Sequence, residues 1–531
     1  MIEAGRSRVS RVQLTIALAT CLAAVPGAVL SQEHAGKPVY DKWCAGCHGA
    51  TGAGDGAAAA FMLPPPRDFT RASYQIRTTA TGQLPTDEDL RRVIDEGMPG
   101  TAMPGWRGRI TSRERDDVIA YLKTFSRFFS GDAPPPVDIG RAPGGGGDAV
   151  ESGRQVYEQM ECWKCHGQQG RGDGASAPTL ADDWDAPIRA ADLSESWHFN
   201  GGSTVEQIYT RLRTGLDGTP MPTFSDAVDA GLITDEQLWH LAYYVRSLSP
   251  SPDRAPAVRE VVRAARVDDG ALPSQPADSA WLNVEAFYIP LVGQIILKPR
   301  AFAPTVDGVW VKAVHDGTRL AVRLAWHDPS RSPDPVWDEW LGRMRGLLTD
   351  VDGAMPSQQG PDYLVVQFPT SLDEGAERPF FLGGSTRRPA YAWRWTSDPD
   401  RLEEGALTGL GSWAPRAGAG EVSHVAAFAD GEWALQIVRP LVPADTAGAP
   451  TFVAGRAIPM AFYAADGSNG EDAMRGSVSA WYAIYLDVPV SGGVYLAPLS
   501  TMLLTAGLGL VLVRQAQRRD RGSARSTSEE S

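Results

Sequence analysis

Two groups of cysteine and histidine in this chain of 531 residues share the pattern Cys-x-x-Cys-His. Two cysteines three positions apart lie on one face of a helical turn, so both can form thioethers to one porphyrin while the adjacent histidine binds its iron. This spacing is the attachment pattern of covalent c-type haem and predicts two haem c groups. The residues are Cys44, Cys47 and His48 in the first group and Cys162, Cys165 and His166 in the second.

A methionine follows each group at the same distance. Met103 lies 56 positions after Cys47, and Met221 lies 56 positions after Cys165. Thioether sulfur is a soft ligand, and a histidine–methionine pair raises the reduction potential of a haem iron, which suits a carrier of single electrons. We therefore predict that each methionine binds the iron opposite the histidine of its group.

The two groups belong to an internal repeat. Each is followed by the sequence Gly-x-Gly-Asp-Gly, at residues 52–56 and 170–174. Repetition at this level predicts two copies of one domain, which we call copy 1 (residues 36–128) and copy 2 (residues 148–249). Apolar positions recur at helical spacing near the end of each copy, so each is expected to be a small all-α domain around its haem.

The repeat also distinguishes between two methionines of copy 1. Met98 and Met103 both precede a proline, so either side chain is a candidate ligand. The offset of 118 positions between the copies places Leu216 opposite Met98, and Met221 opposite Met103. We therefore expect Met103 to be the ligand and Met98 only to pack against its surroundings.

The copies resemble the class I cytochrome c family, in tandem. The resemblance implies that the four cysteines hold the haems and that the axial ligands are His48, Met103, His166 and Met221. A structural zinc site, a redox dithiol and a disulfide are the alternatives. They are disfavoured because a zinc site would not require the distant methionine and a dithiol would not require the histidine.

Three further polar residues of copy 2 are weaker candidates for a role in the site. His198 and His240 are expected to pack or to lie at the surface, as single histidines usually do. Arg189 is a candidate to contact a haem propionate, although an arginine in a loop is more often simply solvated.

The first 31 residues are predicted to be an export signal. Arg6, Arg8 and Arg11 precede an apolar stretch at residues 12–30 that is rich in small side chains. Covalent haem attachment of this kind takes place outside the bacterial cytoplasm, so both features predict the periplasm. Cys21 leaves open whether the segment is lipidated, and its cleavage is also open.

Residues 494–513 form an uncharged stretch of twenty residues, long enough to cross a membrane as a helix. The arginines that follow it predict a cytoplasmic tail, with residues 31–490 in the periplasm. A buried core helix is the alternative, because Pro498 interrupts the segment. The net charge of −14 argues against nucleic acid as a partner and is compatible with a basic docking face on a redox protein.

The β region, residues 280–490, has a different pattern. Residues 309–314 and 320–326 alternate around a turn at Asp316 and Gly317, and further short runs of this kind follow. Short strands separated by turn residues predict an all-β, sandwich-like domain. The predicted architecture is therefore two all-α domains, one all-β domain and one C-terminal transmembrane helix.

Six segments of the β region carry a second family resemblance: residues 311–317, 366–369, 379–384, 393–395, 466–471 and 477–481. Through them the region resembles the haem-binding γ subunits of ethylbenzene dehydrogenase, dimethyl sulfide dehydrogenase and related periplasmic molybdenum enzymes. In that family a methionine and a lysine from two loops ligate a b-type haem. Residues 382–384 (Leu-Gly-Gly) and 474–476 (Met-Arg-Gly) stand here at those two places.

Two interpretations of the β region follow from this departure. In the first, the domain has lost its haem and acts as a docking or spacing module, because the loss of both ligands is most simply explained by a lost cofactor. In the second, a haem b is held by substitutes, with Met474, His315, His424 and Lys312 as candidates. We favour the first.

The sequence predicts a membrane-anchored, periplasmic dihaem cytochrome c that transfers electrons between a respiratory partner and another redox protein. Resemblance of the β region implies association with a molybdopterin oxidoreductase or a similar multisubunit complex. No catalytic nucleophile, phosphate loop or zinc-hydrolase motif is evident, so no catalytic residue is assigned. The alternative is a dihaem enzyme of the oxidase or peroxidase type, with substrate at an open haem site.

Overall fold

The computed structural model describes residues 34–250, 255–268, 270–352, 356–373, 375–416, 420–446, 448–489 and 493–529. The predicted export signal and Cys21 lie outside the described residues. Contacts within the chain divide it into two compact units, one ending at Asp138 and the other beginning at Ile139. The first unit contains copy 1, and the second contains copy 2, the β region and the C-terminal helix.

Copy 1 is helical, as its periodicity predicts. Its α-helices are α1 (Lys37–Trp43), α2 (Ala45–His48), α3 (Asp87–Glu96) and α4 (Ser112–Lys123). Gly36 lies so close to α4 that an added Cβ would stand 2.0 Å from the carbonyl oxygen of Asp117, so only glycine fits at this crossing. Tyr40 is completely buried next to it, which fixes α1 against α4.

Copy 2 repeats this arrangement. Its helices are α5 (Gly147–Gln159), α6 (Trp163–His166), α7 (Val205–Thr214), α8 (Ser225–Asp229) and α9 (Asp235–Ser247). Gly153 lies against α9 as Gly36 lies against α4, with an added Cβ 2.0 Å from the carbonyl oxygen of His240. The repeat in the sequence is therefore a repeat in helix packing.

Threonine N-caps set where four of these helices begin. Each threonine accepts a hydrogen bond from the third helical residue, whose side chain in turn accepts one from the threonine backbone. This reciprocal capping box satisfies two amide donors that a helix start would leave unpaired. The pairs are Thr86–Asp89, Thr111–Glu114, Thr204–Gln207 and Thr234–Gln237.

The β region is built on a set of paired strands. The strands are β1 (Val261–Arg266), β2 (Phe287–Pro290), β3 (Val292–Gly293), β4 (Gly308–His315), β5 (Arg319–His327), β6 (Tyr363–Pro369), β7 (Ala390–Ser397), β8 (Asp400–Leu407), β9 (Ala414–Pro415), β10 (Ser423–Ala429), β11 (Glu432–Pro440), β12 (Ala457–Ala465), β13 (Ser477–Val478) and β14 (Tyr482–Leu486). They form one hydrogen-bonded path in the order β10-β11-β5-β4-β1-β14-β12-β6-β7-β8-β9, with β2, β3 and β13 attached at its sides.

Two halves of this sheet share one apolar core, in the way expected of a sandwich. Trp395 of β7 lies 5.6 Å from Trp326 of β5 and 4.7 Å from Trp433 of β11, measured between ring centroids. All three rings are buried, and each belongs to the same hydrophobic cluster. Side chains from the two halves of the strand path therefore share one core, with the ring of Trp395 edge-on to the other two.

Two features differ from the all-β prediction for residues 280–490. A helix, α10 (Asp338–Asp352), lies between β5 and β6. Strand β1 lies before residue 280, outside the bounds predicted for the β region, and it pairs in parallel with both β14 and β4. The sheet is therefore mixed, with parallel as well as antiparallel strand pairs. A strand that is not joined to its neighbour by a hairpin turn can pair with it in either direction.

The C-terminal helix is α11 (Gly493–Glu529). Its segment Val494–Arg519 is long and apolar enough to span a membrane, and none of that segment is buried against the rest of the protein. It is the one helix among the described residues with these properties. A buried core helix, the alternative drawn from the sequence, does not match this exposure.

Candidate functional site

The first Cys-x-x-Cys-His group lies on a short helical turn. Cys44 stands directly before α2, Cys47 lies within it, and both thiols are half-buried and free of any disulfide. His48 ends the helix, and Gly49 follows with a φ of +78°, a conformation in which glycine avoids steric strain. The hydroxyl group of Tyr40 donates a hydrogen bond of 2.7 Å to the Gly49 carbonyl and fixes this turn.

The ring of His48 is oriented by the backbone. Its Nδ1 lies 3.0 Å from the carbonyl oxygen of Arg67, and because a carbonyl can only accept, Nδ1 carries the proton. The ring stacks on Phe69 with centroids 4.5 Å apart. Burial lowers the pKa of His48, which favours the neutral ring. The unprotonated Nε2 is thus available as a ligand, the arrangement typical of metal-binding histidines.

The second group has the same geometry. Cys162 stands directly before α6, Cys165 lies within it, and both are also free thiols. Nδ1 of His166 donates to the carbonyl oxygen of Ala191 over 2.9 Å, again leaving Nε2 available. The hydroxyl group of Tyr157 donates to the carbonyl oxygen of Gly167 over 2.6 Å, as Tyr40 does in copy 1.

The methionine loops correspond as well. In copy 1 the backbone amide of Met98 donates to the carbonyl oxygen of Met103 over 3.1 Å, and in copy 2 the amide of Leu216 donates to that of Met221 over 3.2 Å. A threonine two residues before each methionine accepts a bond from its amide. The structure thus places Met103, and not Met98, in the position of Met221. Met221 and Cys162 pack against one apolar cluster.

The thiol chemistry disfavours a redox dithiol. Burial, followed by the nearby Cys47, raises the pKa of Cys44 to about 11. Burial likewise raises the pKa of Cys162 to about 12. Disulfide exchange uses the thiolate, which such values make scarce at neutral pH. Two thiols, an imidazole with a free Nε2 and a thioether are instead the donor set that a covalent haem needs, so these residues fit the group.

Comparison with known proteins agrees with this geometry. Residues 31–122 match the family model of the cbb3-type cytochrome c oxidase subunit III, and residues 150–249 match that of cytochrome c. The chain contains two cytochrome c domains. Such domains imply covalently bound haem c, and copies 1 and 2 are from here on the first and second cytochrome domains.

Relatives of known description match less than half of the chain. A putative respiratory nitrate reductase haem subunit of Haloferax mediterranei is 27% identical over 46% of this chain and 81% of its own length. The cbb3-type oxidase subunit CcoP of Rhodobacter capsulatus is 28% identical over 43% of this chain, which spans only 66% of that protein. In a solved reducing HAO-like protein complex of Kuenenia stuttgartiensis, one chain is 44% identical over 40% of this chain and 96% of its own length, with a TM-score of 0.38.

The two loops in which the sequence predicts the loss of b-haem ligands, residues 382–384 and 474–476, lie beside a very small cavity. It has a volume of about 20 Å³, the room for one water molecule, and Leu382, Gly383 and Ala473 contribute to its lining. The sulfur of Met474 would stand 2.2 Å from a Cβ added to Gly411, which also lines this cavity. A cavity of this volume does not admit a haem.

The substitute ligands considered for a haem b are not brought together. Nζ of Lys312 donates to the carbonyl oxygen of Trp281 over 2.7 Å. Nε2 of His315 lies 2.8 Å from the carbonyl oxygen of Asp487, and Nε2 of His424 lies 2.9 Å from a carboxylate oxygen of Asp400. Each of these atoms thus already has a partner within the protein, and the three partners differ.

The second cytochrome domain contacts the β region through an interface that no sequence pattern predicted. Nη2 of Arg189, a candidate for a haem propionate, donates to Thr305 over 2.7 Å and lies 3.7 Å from Asp466 of the β region. His198 lies 3.2 Å from both Glu195 and Asp307. Arg189 and His198 are each more than a hundred residues from their partners in the β region, so no local pattern could indicate those contacts. His240, in contrast, bonds Ser152 within its own domain.

His327 is the central ion-pairing residue of this interface. Its Nδ1 lies 2.5 Å from Asp192 and 3.6 Å from Glu195. Nε2 lies 3.8 Å from Glu432, which also pairs with Arg171. Burial would lower the pKa of His327, but the hydrogen bond and charge of Asp192 and the charge of Glu195 outweigh it and raise the pKa to about 9. Asp192 follows Ala191, whose carbonyl orients His166.

The interface is expected to weaken in alkaline solution. A folded-state pKa of about 9 exceeds the usual 6.5, so the stabilisation by His327 is complete below about pH 6.5 and is lost as the pH rises through 9. His327→Gln should cost about 1–3 kcal/mol at pH 7 and little at pH 10. Thermal unfolding from pH 6 to 10 measures this, with His240→Gln as the control. Parallel profiles for His327→Gln and the wild-type protein would contradict the assignment.

Proposed function

We propose that this chain is a membrane-anchored dihaem cytochrome c that passes electrons between a respiratory partner and another redox protein, as a subunit of a multisubunit oxidoreductase. The observation that carries the proposal is the duplicated site, in which each histidine has its Nδ1 bound to a backbone carbonyl and each methionine occupies an equivalent loop. Two matched sites of this kind suit a relay of single electrons.

The residues that would hold each haem have distinct roles. The two cysteines would attach it through thioethers, and the histidine and methionine would bind its iron, which supplies one-electron redox chemistry. The carbonyl groups of Arg67 and Ala191 hold the histidine rings in place and increase their basicity. Because both ligand positions would be filled by protein, neither site leaves room for substrate, which favours a carrier over an oxidase or peroxidase.

The β region and the C-terminal helix complete the proposal. The ion pairs of His327 and Arg189 hold the second cytochrome domain against the β region, which we assign to docking and spacing without a haem b. Helix α11 would anchor the chain in the cytoplasmic membrane, with the arginines after residue 513 in the cytoplasm and the cytochrome domains in the periplasm. Relatives described as respiratory haem subunits support a respiratory complex, such as a molybdopterin oxidoreductase, as the partner.

A haem inventory of the purified protein tests the proposal. A pyridine haemochrome spectrum is expected to give two haem c per chain, and acid–acetone extraction should remove none of it, because thioethers survive this treatment. Serine at both Cys44 and Cys47, or at both Cys162 and Cys165, should halve the haem content. An extractable haem b would contradict the docking role of the β region.

The enzyme alternative has a separate test. The reduced protein should not consume peroxide or oxygen faster than a single-haem carrier, because both irons would be six-coordinate. Rapid turnover of either substrate by the wild-type protein, with a spectrum of an open iron site, would favour the oxidase or peroxidase instead.

A further inference from the structure

Three aspartates of the β region meet in its interior. Asp328 follows β5, Asp362 precedes β6, and Asp466 follows β12, and all three residues are at most 1% exposed. One carboxylate oxygen from each lies within 4.8 Å of the other two. Strand β5 belongs to one half of the strand path, whereas β6 and β12 belong to the other half. The aspartates therefore stand where the two halves meet.

Hydrogen bonds position these carboxylates without neutralising them. Asp362 accepts from the backbone amides of Ser332 and Gly467 and from the indole of Trp433. Ser468 donates to one oxygen of Asp466 through both its amide and its hydroxyl group. Neutral donors orient a carboxylate and delocalise its charge, but three buried negative charges still need a cation or protons.

Asp328 supplies a second, independent observation. One of its oxygens accepts a bond of 3.2 Å from the amide of Ser330, while the other is buried and has no hydrogen-bond partner. The second oxygen of Asp466 also has no hydrogen bond, and its nearest cation is Nη2 of Arg189 at 3.7 Å. An ionised carboxylate oxygen left in this state is costly, so the cluster is incomplete without a further positive charge.

We propose that Asp328, Asp362 and Asp466 bind one calcium ion. Their donors are all hard oxygens, which suit Ca²⁺ or Mg²⁺ rather than zinc or copper. Oxygens on opposite sides of a Ca²⁺ ion are about 5 Å apart, in keeping with the separation here. Mg²⁺ usually retains several waters, for which a site this buried offers little room. The ion would join the two halves of the sheet. Because Arg189 of the second cytochrome domain lies 3.7 Å from Asp466, the site would also be next to that domain.

Protons are the alternative counterions. Burial and the charge of Asp466 raise the pKa of Asp362 to about 7, and burial with the two neighbouring aspartates raises the pKa of Asp328. In a cluster held by protons, an amide in place of Asp328 would be harmless. In a calcium site it would remove a charged ligand. The two cases therefore differ in what they predict for Asp328→Asn: this variant keeps its stability if protons hold the cluster, and it loses bound calcium if calcium does.

The full-length wild-type protein provides the first test. After purification in calcium-containing buffer and gel filtration, metal analysis should give one calcium per chain, with the chain counted by amino-acid analysis. Removal of the ion with EGTA should lower the unfolding temperature of the sheet by about 5–10 °C, and calcium but not magnesium should restore it. No bound calcium together with no response to EGTA would overturn the proposal, as would magnesium bound in its place.

Variants locate the ion. Asp328→Asn should lose both the bound calcium and the response to EGTA. The control is Asp316→Asn, at an equally buried aspartate whose partners are Thr318 and Arg319 and which lies outside the cluster. It should keep the calcium even if it is less stable. Calcium retained by Asp328→Asn would overturn the assignment, and should that variant fail to fold, the wild-type measurements decide alone.

Discussion

Replacing Met103 with alanine is expected to turn the first haem from a low-spin, six-coordinate centre into one with an open or water-filled position. The reduction potential of that haem should fall by on the order of 0.1 V or more, because a thioether stabilises the reduced iron and axial ligands set haem potentials over a wide range. The absorption spectrum and a potentiometric titration measure both changes. The second haem, whose methionine loop is separate, should keep its spectrum.

Met98→Leu is the matched control for this change. It places in the first cytochrome domain the residue that the second domain has at the equivalent position. There the amide of Leu216 donates to the carbonyl oxygen of Met221, as the amide of Met98 does to that of Met103. Spectrum and potential should both stay as in the wild type. A change in spectrum and potential for Met98→Leu, with no change for Met103→Ala, would reverse the ligand assignment in the first cytochrome domain. No shift with either variant would revive the interpretation of an open enzymatic site.

Ending the chain at residue 489 is expected to move the protein from the membrane fraction to the soluble fraction with both haems in place. The segment Val494–Arg519 is exposed throughout and contributes nothing to the packing of the β region. Its removal should therefore leave the fold intact while removing an apolar surface that only a membrane would bury. Haem content in the two fractions after ultracentrifugation measures the effect.

Arginine at both Leu504 and Leu508 is a second way to disable the span. A charged residue near the middle of a membrane helix costs about 2.5–3.5 kcal/mol on insertion scales, so two should prevent stable insertion. Leucine-to-valine changes at the same positions preserve the apolar surface and should leave the protein in the membrane. A truncated protein that stays membrane-bound would mean that another part of the chain, such as residues 1–31, anchors it.

The local parts of this structure could be predicted from the sequence. Capped amphipathic helices and the place of Met103 follow from periodicity and from the offset between the copies, because these depend on residues near one another in the sequence. The β-hairpins of β4–β5 and β10–β11 follow from turn residues for the same reason. Whether the cysteines, histidines and methionines bind haem as assigned stays a prediction.

What could not be predicted depends on distant partners. His327 and Asp192 meet across 135 positions, and Asp328 meets Asp466 across 138. In the sequence each is a single polar residue at the end of an apolar run or in a loop, which is typical of a solvated turn. The partners of Arg189 could not be predicted for the same reason. Its guanidinium lies over the ring of Trp340 and beside Asp466, whereas the sequence suggested a solvated arginine in a loop. Helix α10 also lay outside the strand pattern on which the β prediction rested.

The position of strand β1 limits where this protein can be divided. β1 comes from the short segment after the second cytochrome domain and runs in parallel between β4 and β14 in the interior of the sheet. A recombinant β fragment that begins at residue 280 would therefore lack an internal strand and expose two unpaired edges, which invite aggregation. A cut between Leu248 and β1 keeps the sheet whole. The second cytochrome domain is thus joined to an internal strand of the sheet by only the residues between Leu248 and Val261.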